Sequence, residues 1–191
     1  MVYQSAIFQA SSTIEEYLKQ IFDHWVFELK THNKIGKNMP SRSRYSFFGR
    51  EISKEFKSYA HSGDEKKLAK ALQTQSNIID FALGNSEVSR YLTGEFIYKE
   101  KKYPSPKNIK ALYSRIGCDE VFQLLSREMK SDSKLKLQAF NDIRTAIAHG
   151  APPNITFTDV KRNLDDVALI IKCLDRINHK VLSKDFGGGV W

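Results

Sequence analysis

Apolar residues recur at spacings of three and four through most of the chain, the pattern of helices that bury one face. The clearest run is Ile14, Tyr17, Leu18, Ile21, Trp25 and Leu29, which predicts a long amphipathic helix over 12–32. Its expected start is Ser12-Thr13-Ile14-Glu15, where Ser12 and Glu15 can form a capping box over the exposed amides. The next stretch, NKIGKNMPSRSRYS (33–46), reads as a basic loop with Gly36 and Pro40 as breakers. A second helix is predicted from Arg44 to Ala60. After HSGD, Asp64 can cap a third helix that carries Leu68, Leu72, Ile78 and Ile79 and runs through Leu83. Gly84-Asn85-Ser86 ends it and caps a short helix over 87–93.

The segment TGEFIYKEKKYPSPKN (93–108) has no regular period and leaves room for a short strand or hairpin piece. Ser105-Pro106 then opens a helix that ends at Gly117, since proline fits the first helical turn. Further helices are predicted over 118–130 and 132–149. The last one starts near Thr158-Asp159 and carries Val160, Leu164, Val167, Ile171, Leu174, Ile177 and Val181. No internal repeat or domain boundary interrupts the series. The expectation is one all-α bundle over 1–186, followed by a flexible tail at 187–191.

Composition narrows the function. The chain has 191 residues and a net charge of +8, enough length for a single core and a strong bias towards polyanions. The basic excess is uneven. Residues 34–70 hold ten Lys or Arg against four Asp or Glu, and residues 99–110 hold five lysines against Glu100. No apolar run approaches the roughly 18 residues of a membrane span, and the N-terminus lacks the form of a secretory signal. The two cysteines, Cys118 and Cys173, are too few for a disulfide framework and suit a reducing cytosol. A cytoplasmic protein that meets RNA or DNA is the expectation.

The candidate chemistry lies in AFNDIRTAIAHGAPPN (139–154). Leu137, Phe140, Ile143 and Ile147, with Ala139 and Ala146, form the predicted buried stripe of this helix. Arg144 falls between Phe140 and Ile147, on or beside the packed side, where a guanidinium needs a partner. Asn141 and Asp142 are the local candidates. His149 follows five residues later at the helix end, about 140° around and about 7.5 Å along a regular helix. The two side chains converge only if the last turn loosens at Gly150, or if two copies of the helix pair across a dimer axis. As residue types, an imidazole can move a proton near neutral pH, and a guanidinium can hold a phosphate by two hydrogen bonds.

An all-α chain with NDIRTAIAHG near the end of its penultimate long helix resembles the HEPN superfamily (higher eukaryotes and prokaryotes nucleotide-binding), in particular its RiboL-PSP-like prokaryotic branch. The signature is an arginine, four to six residues, then a histidine at a helix end, matched here by Arg144 and His149. The resemblance implies a HEPN-like bundle and a metal-independent endoribonuclease that needs no cofactor. It also implies a homodimer with facing motifs, acting as a toxin or antiphage effector with an antitoxin or other defence subunit as a further partner. Arg144 would clamp phosphate and His149 would act as acid or base, with Asn141, Asp142 and Thr145 in support. Thr145 departs from the Asn, Asp or His common after the arginine: it can hydrogen-bond but carries no charge. The rival reading keeps the fold as a non-catalytic RNA-binding or protein-interaction module.

Two basic segments are candidate RNA contacts. SRSRYSFFGR (41–50) interleaves Arg42, Arg44 and Arg50 with Tyr45, Phe47 and Phe48, combining phosphate holders with rings that can stack on bases. YKEKKYPSPK (98–107) offers Lys101 and Lys102. His24, beside Trp25, reads as packed or exposed rather than catalytic, and His32, His61 and His179 stand near helix ends or turns; no glycine-rich loop is followed by Lys-Ser or Lys-Thr, so an ATPase is not indicated.

Overall fold

The computed structural model describes residues 2–32, 36–86, 92–99, 103–150 and 154–186, and among them every regular element is helical. The predicted short helix over 87–93, Lys101, Lys102 and the tail at 187–191 lie wholly or mostly outside the described residues. Two 30-residue helices frame the molecule: α1 (Val2–Thr31) and α9 (Phe157–Phe186), which pack along each other. Ile7, Ile14, Leu18, Ile21, Phe22, Trp25 and Leu29 bury one face of α1, and Val167, Ile170, Leu174 and Ile177 bury one face of α9. A polar link crosses this seam. Tyr17 donates to Asp175 at 3.3 Å and accepts from Asn178 at 3.3 Å. Burial, ahead of the Asp175 charge, pushes the Tyr17 hydroxyl's pKa well up.

α1 begins ten residues before the expected start. Ile7 and Ala10 extend the buried stripe backwards, and nothing in VYQSAIFQA breaks a helix, so the Ser12–Glu15 pattern lies mid-helix and caps nothing. α2 (Ser41–Ser62) also starts early, because the Pro40 carbonyl accepts from the Ser43 and Arg44 amides. The predicted third helix is two, α3 (Glu65–Thr74) and α4 (Ser76–Leu83), divided at Gln75. Asp64 caps α3 as expected, accepting from the Lys67 amide at 2.9 Å. Among the described residues of 93–108 there is no strand; the short α5 (Glu95–Tyr98) stands there.

α6 (Pro106–Arg115) is capped by Ser105, which accepts from the Asn108 amide at 3.2 Å. α7 (Val121–Met129) and α8 (Ser133–Ala148) follow, the latter capped by Asp132, which accepts from the Leu135 amide at 2.9 Å. α8 is held against α1, α6, α7 and α9, so its inner face is fixed from several sides. The salt bridge from Lys136 to Asp166, at 2.5 Å, sets α8 beside α9. Among the described residues, no helix is long and apolar enough to cross a membrane.

Candidate active site

Leu137, Phe140 and Ile147 are buried and turn the inner side of α8 to the core, as their spacing predicts, whereas Ala139 faces solvent. Arg144 lies on that inner side and is half-buried. Neither Asn141 nor Asp142 is its partner. Asn141 is buried and donates to the Pro104 carbonyl at 3.1 Å and the Leu137 carbonyl at 3.0 Å. Asp142 is exposed and accepts from Gln138 at 2.8 Å. Two rings hold the guanidinium instead, with Tyr103 4.8 Å and Phe8 5.5 Å from ring centroid to the guanidinium carbon. A π face attracts a cation without neutralising it. The Arg144 Nε is buried with no hydrogen-bond partner, and no carboxylate pairs with the guanidinium among the described residues.

Tyr103 is itself fixed. Its hydroxyl donates to the Asn141 carbonyl at 3.3 Å and shares a 3.1 Å hydrogen bond with Thr145, while its own carbonyl accepts from Asn108 at 2.8 Å. Thr145 therefore anchors the ring that covers Arg144. Sequence reasoning missed Tyr103 and Phe8. Their only signal was the position of Tyr103 beside a lysine run and of Phe8 ahead of the first strong stripe.

His149 caps the C-terminus of α8 and is exposed. Its amide donates to the Thr145 carbonyl at 3.0 Å, so the helical ladder runs up to it without loosening. The reversal comes one residue later, at Gly150, whose φ of 74° is in the left-handed region that favours glycine. Of the two routes to convergence, a loosened last turn is therefore absent. Within one chain the guanidinium faces inwards and the imidazole outwards, about 140° apart around the helix.

The arginines of 41–50 have partners within the chain. Arg42 pairs with Asp119 and donates to Ser114 at 2.9 Å; Arg44 donates to the Ala82 carbonyl at 2.7 Å; Arg50 donates to the Phe96 carbonyl at 2.5 Å. The Ser114 hydrogen bond, with the Arg42 charge behind it, holds the Asp119 carboxyl below its ordinary range. Because α2 starts at Ser41, Arg44 and Arg50 are turned onto carbonyls at α4 and α5. They bind the frame together rather than forming a free basic strip. Tyr45 is exposed, with the Arg44 guanidinium 5.8 Å from its ring centroid, and Phe47 is core, edge-on to Phe81 and Phe96. Among the described residues no group of three or more His, Cys, Asp or Glu could hold a metal ion.

A family model described as RiboL-PSP-HEPN matches residues 1–177, which takes in eight of these helices and most of α9. No curated protein and no solved structure matches the chain.

Proposed function

The chain belongs to the RiboL-PSP-HEPN family, and from that premise we propose that it is an endoribonuclease in which Arg144 holds the scissile phosphate and His149 moves the proton. The observation that carries this reading is the guanidinium of Arg144, set against the Tyr103 and Phe8 rings with no carboxylate paired to it among the described residues. An ordinary structural arginine ends on an anion or on carbonyls, as the exposed Arg42 and the half-buried Arg44 and Arg50 do here. Arg144 keeps its charge for something outside the chain.

The reaction needs little else. The ribose 2′-OH loses its proton to an imidazole and attacks phosphorus, the P–O5′ bond breaks, and the departing 5′ oxygen takes up a proton. The products are a 2′,3′-cyclic phosphate and a 5′-OH. Charge gathers on the phosphate oxygens in the transition state, where a preplaced guanidinium is most effective. Since α8 stays regular up to His149, the arginine and histidine of one reaction centre come from two copies of the chain. Exposed apolar side chains support such pairing: Leu135 on α8 is 67% exposed and Phe157 on α9 is 65% exposed, with Leu164 and Leu169 at 38% and 37%. The exposed Tyr45 and the lysines Lys101 and Lys102 are further RNA contacts in this reading. A toxin or defence role, opposed by an antitoxin or another defence subunit in the cytoplasm, fits an RNase of this kind.

The separation of imidazole and guanidinium within one chain favours a second reading, a module that binds RNA without turnover. One experiment separates the two. Purified protein and its His149→Ala variant are incubated in EDTA with single-stranded and structured RNA. Cleavage to cyclic-phosphate ends that is lost in the variant is the expected result. Tight, salt-sensitive binding with no cleavage by either protein selects the module.

A further inference from the structure

A cleft of about 340 Å³ lies where the start of α6, the start of α7 and the outer side of α8 meet, and it has no part in the site above. Lys107 and Lys110 of α6 and Lys134 of α8 line it, with Gln123, Gln138 and the half-buried ring of Phe122. Its two carboxylates are Asp119 and Glu120, and Arg42 and Ser114 engage Asp119. With Arg42 included, the rim is net positive.

The helical repeat connects this cleft to the motif. Lys134, Gln138, Thr145 and His149 fall within about 60° of one another around α8, on its solvent side. Lys134 and His149 are fifteen positions apart, about 22 Å along the axis. Successive phosphates of an extended strand stand about 6 Å apart, so this path spans three to four nucleotides. Asp142 borders it, and Gln138 donates to that carboxylate.

We propose that this cleft is a backbone subsite for single-stranded RNA, holding phosphates three to four nucleotides from the one at which His149 of the same chain acts. The inference rests on the endoribonuclease reading and adds to it a substrate form: an unpaired strand that lies along α8, with lysines for its phosphates, glutamines for its sugar and base edges, and Phe122 for a base face. A duplex is too wide and stiff to follow one helix face into the cleft.

The test compares a dinucleotide, too short to reach the cleft, with an unstructured ten-nucleotide RNA. Wild type is expected to prefer the longer RNA in kcat/KM. In the triple variant Lys107→Ala, Lys110→Ala, Lys134→Ala that preference falls about tenfold, chiefly through KM. The slope of log K against log salt also shrinks by about 0.7 for each phosphate that the variant no longer neutralises. Removing Lys54, Lys57 and Lys66, exposed lysines of α2 and α3, from a matched control leaves both quantities in place. A triple variant that keeps the length preference and the salt slope overturns the proposal. Binding to a 2′-O-methyl ten-mer, which cannot be cut, is measured in parallel. If no RNA is cleaved, the endoribonuclease reading fails, and the salt slope on the uncut strand still decides whether the cleft takes it.

Discussion

At the residue scale, the unusual choice is a cation placed among rings with no anion beside it among the described residues. Arg144 occupies the inner side of α8, beside the apolar Leu137, Phe140 and Ile147, and Tyr103 at 4.8 Å makes the closer of its two ring contacts. Cation–π contacts of this kind contribute roughly 0.5–2 kcal/mol each, enough to orient a guanidinium without quenching its charge. This separates the work of the ring from the work of the hydroxyl. Tyr103→Phe keeps the face over Arg144 and loses hydrogen bonds to Thr145 and the Asn141 carbonyl, so it should melt lower by an amount equivalent to about 1 kcal/mol while cleaving within a few fold of wild type. Tyr103→Leu removes the face and should lower kcat/KM by ten- to a hundredfold. Steady-state kinetics with a melting curve for each variant reads both. Equal losses of activity in the two variants would show that the ring does not position the arginine.

At the element scale, the path of the chain into the site depends on one close approach. Gly94 precedes α5, and a Cβ there would stand 2.6 Å from the Asp23 amide nitrogen and 2.7 Å from its Cα on α1. Backbone cannot yield as a side-chain tip can, so Gly94→Ala should destabilise the fold by at least about 2 kcal/mol, read by urea denaturation. A melt indistinguishable from wild type would mean that α1 and α5 do not meet so closely. The sequence did not announce this glycine. A close approach between elements seventy positions apart leaves no local pattern, and 93–108 read only as irregular. The same physics divides what was legible elsewhere. The caps at Asp64 and Ser105 and the span of α8 could be read, because each depends on residues within a few positions. The early start of α1 could not, because Ser12 and Glu15 match a cap in type while the packing of Ile7 and Ala10 against the core decides otherwise. On α8, the inward side of Arg144 followed from its neighbours Phe140 and Ile147. Its partners did not, since Phe8 and Tyr103 arrive from distant parts of the chain.

At the scale of the whole molecule, the proposed reading puts both halves of a reaction centre on one chain, about 140° apart around α8. If two copies complete it, each centre draws Arg144 from one chain and His149 from the other. The apolar strip beside the motif supports this pairing: Leu135 and Ala139 recur on one side of α8, and Phe157, Leu164 and Ala168 on one side of α9, next to which Lys136 and Asp166 hold α8. The arrangement makes a prediction that a single-chain site does not. Arg144→Ala and His149→Ala should each be inactive alone. When they are mixed and allowed to exchange subunits, half of the dimers contain one chain of each kind. Each mixed dimer has one centre with an intact arginine and an intact histidine, and one centre with neither, so about a quarter of wild-type activity should return. Leu135→Asp in both chains places a charge in the strip and should abolish the recovery, with light scattering reporting monomers. A mixture that stays inactive, from chains shown to exchange, would place both groups on one chain and require α8 to unwind before it cuts.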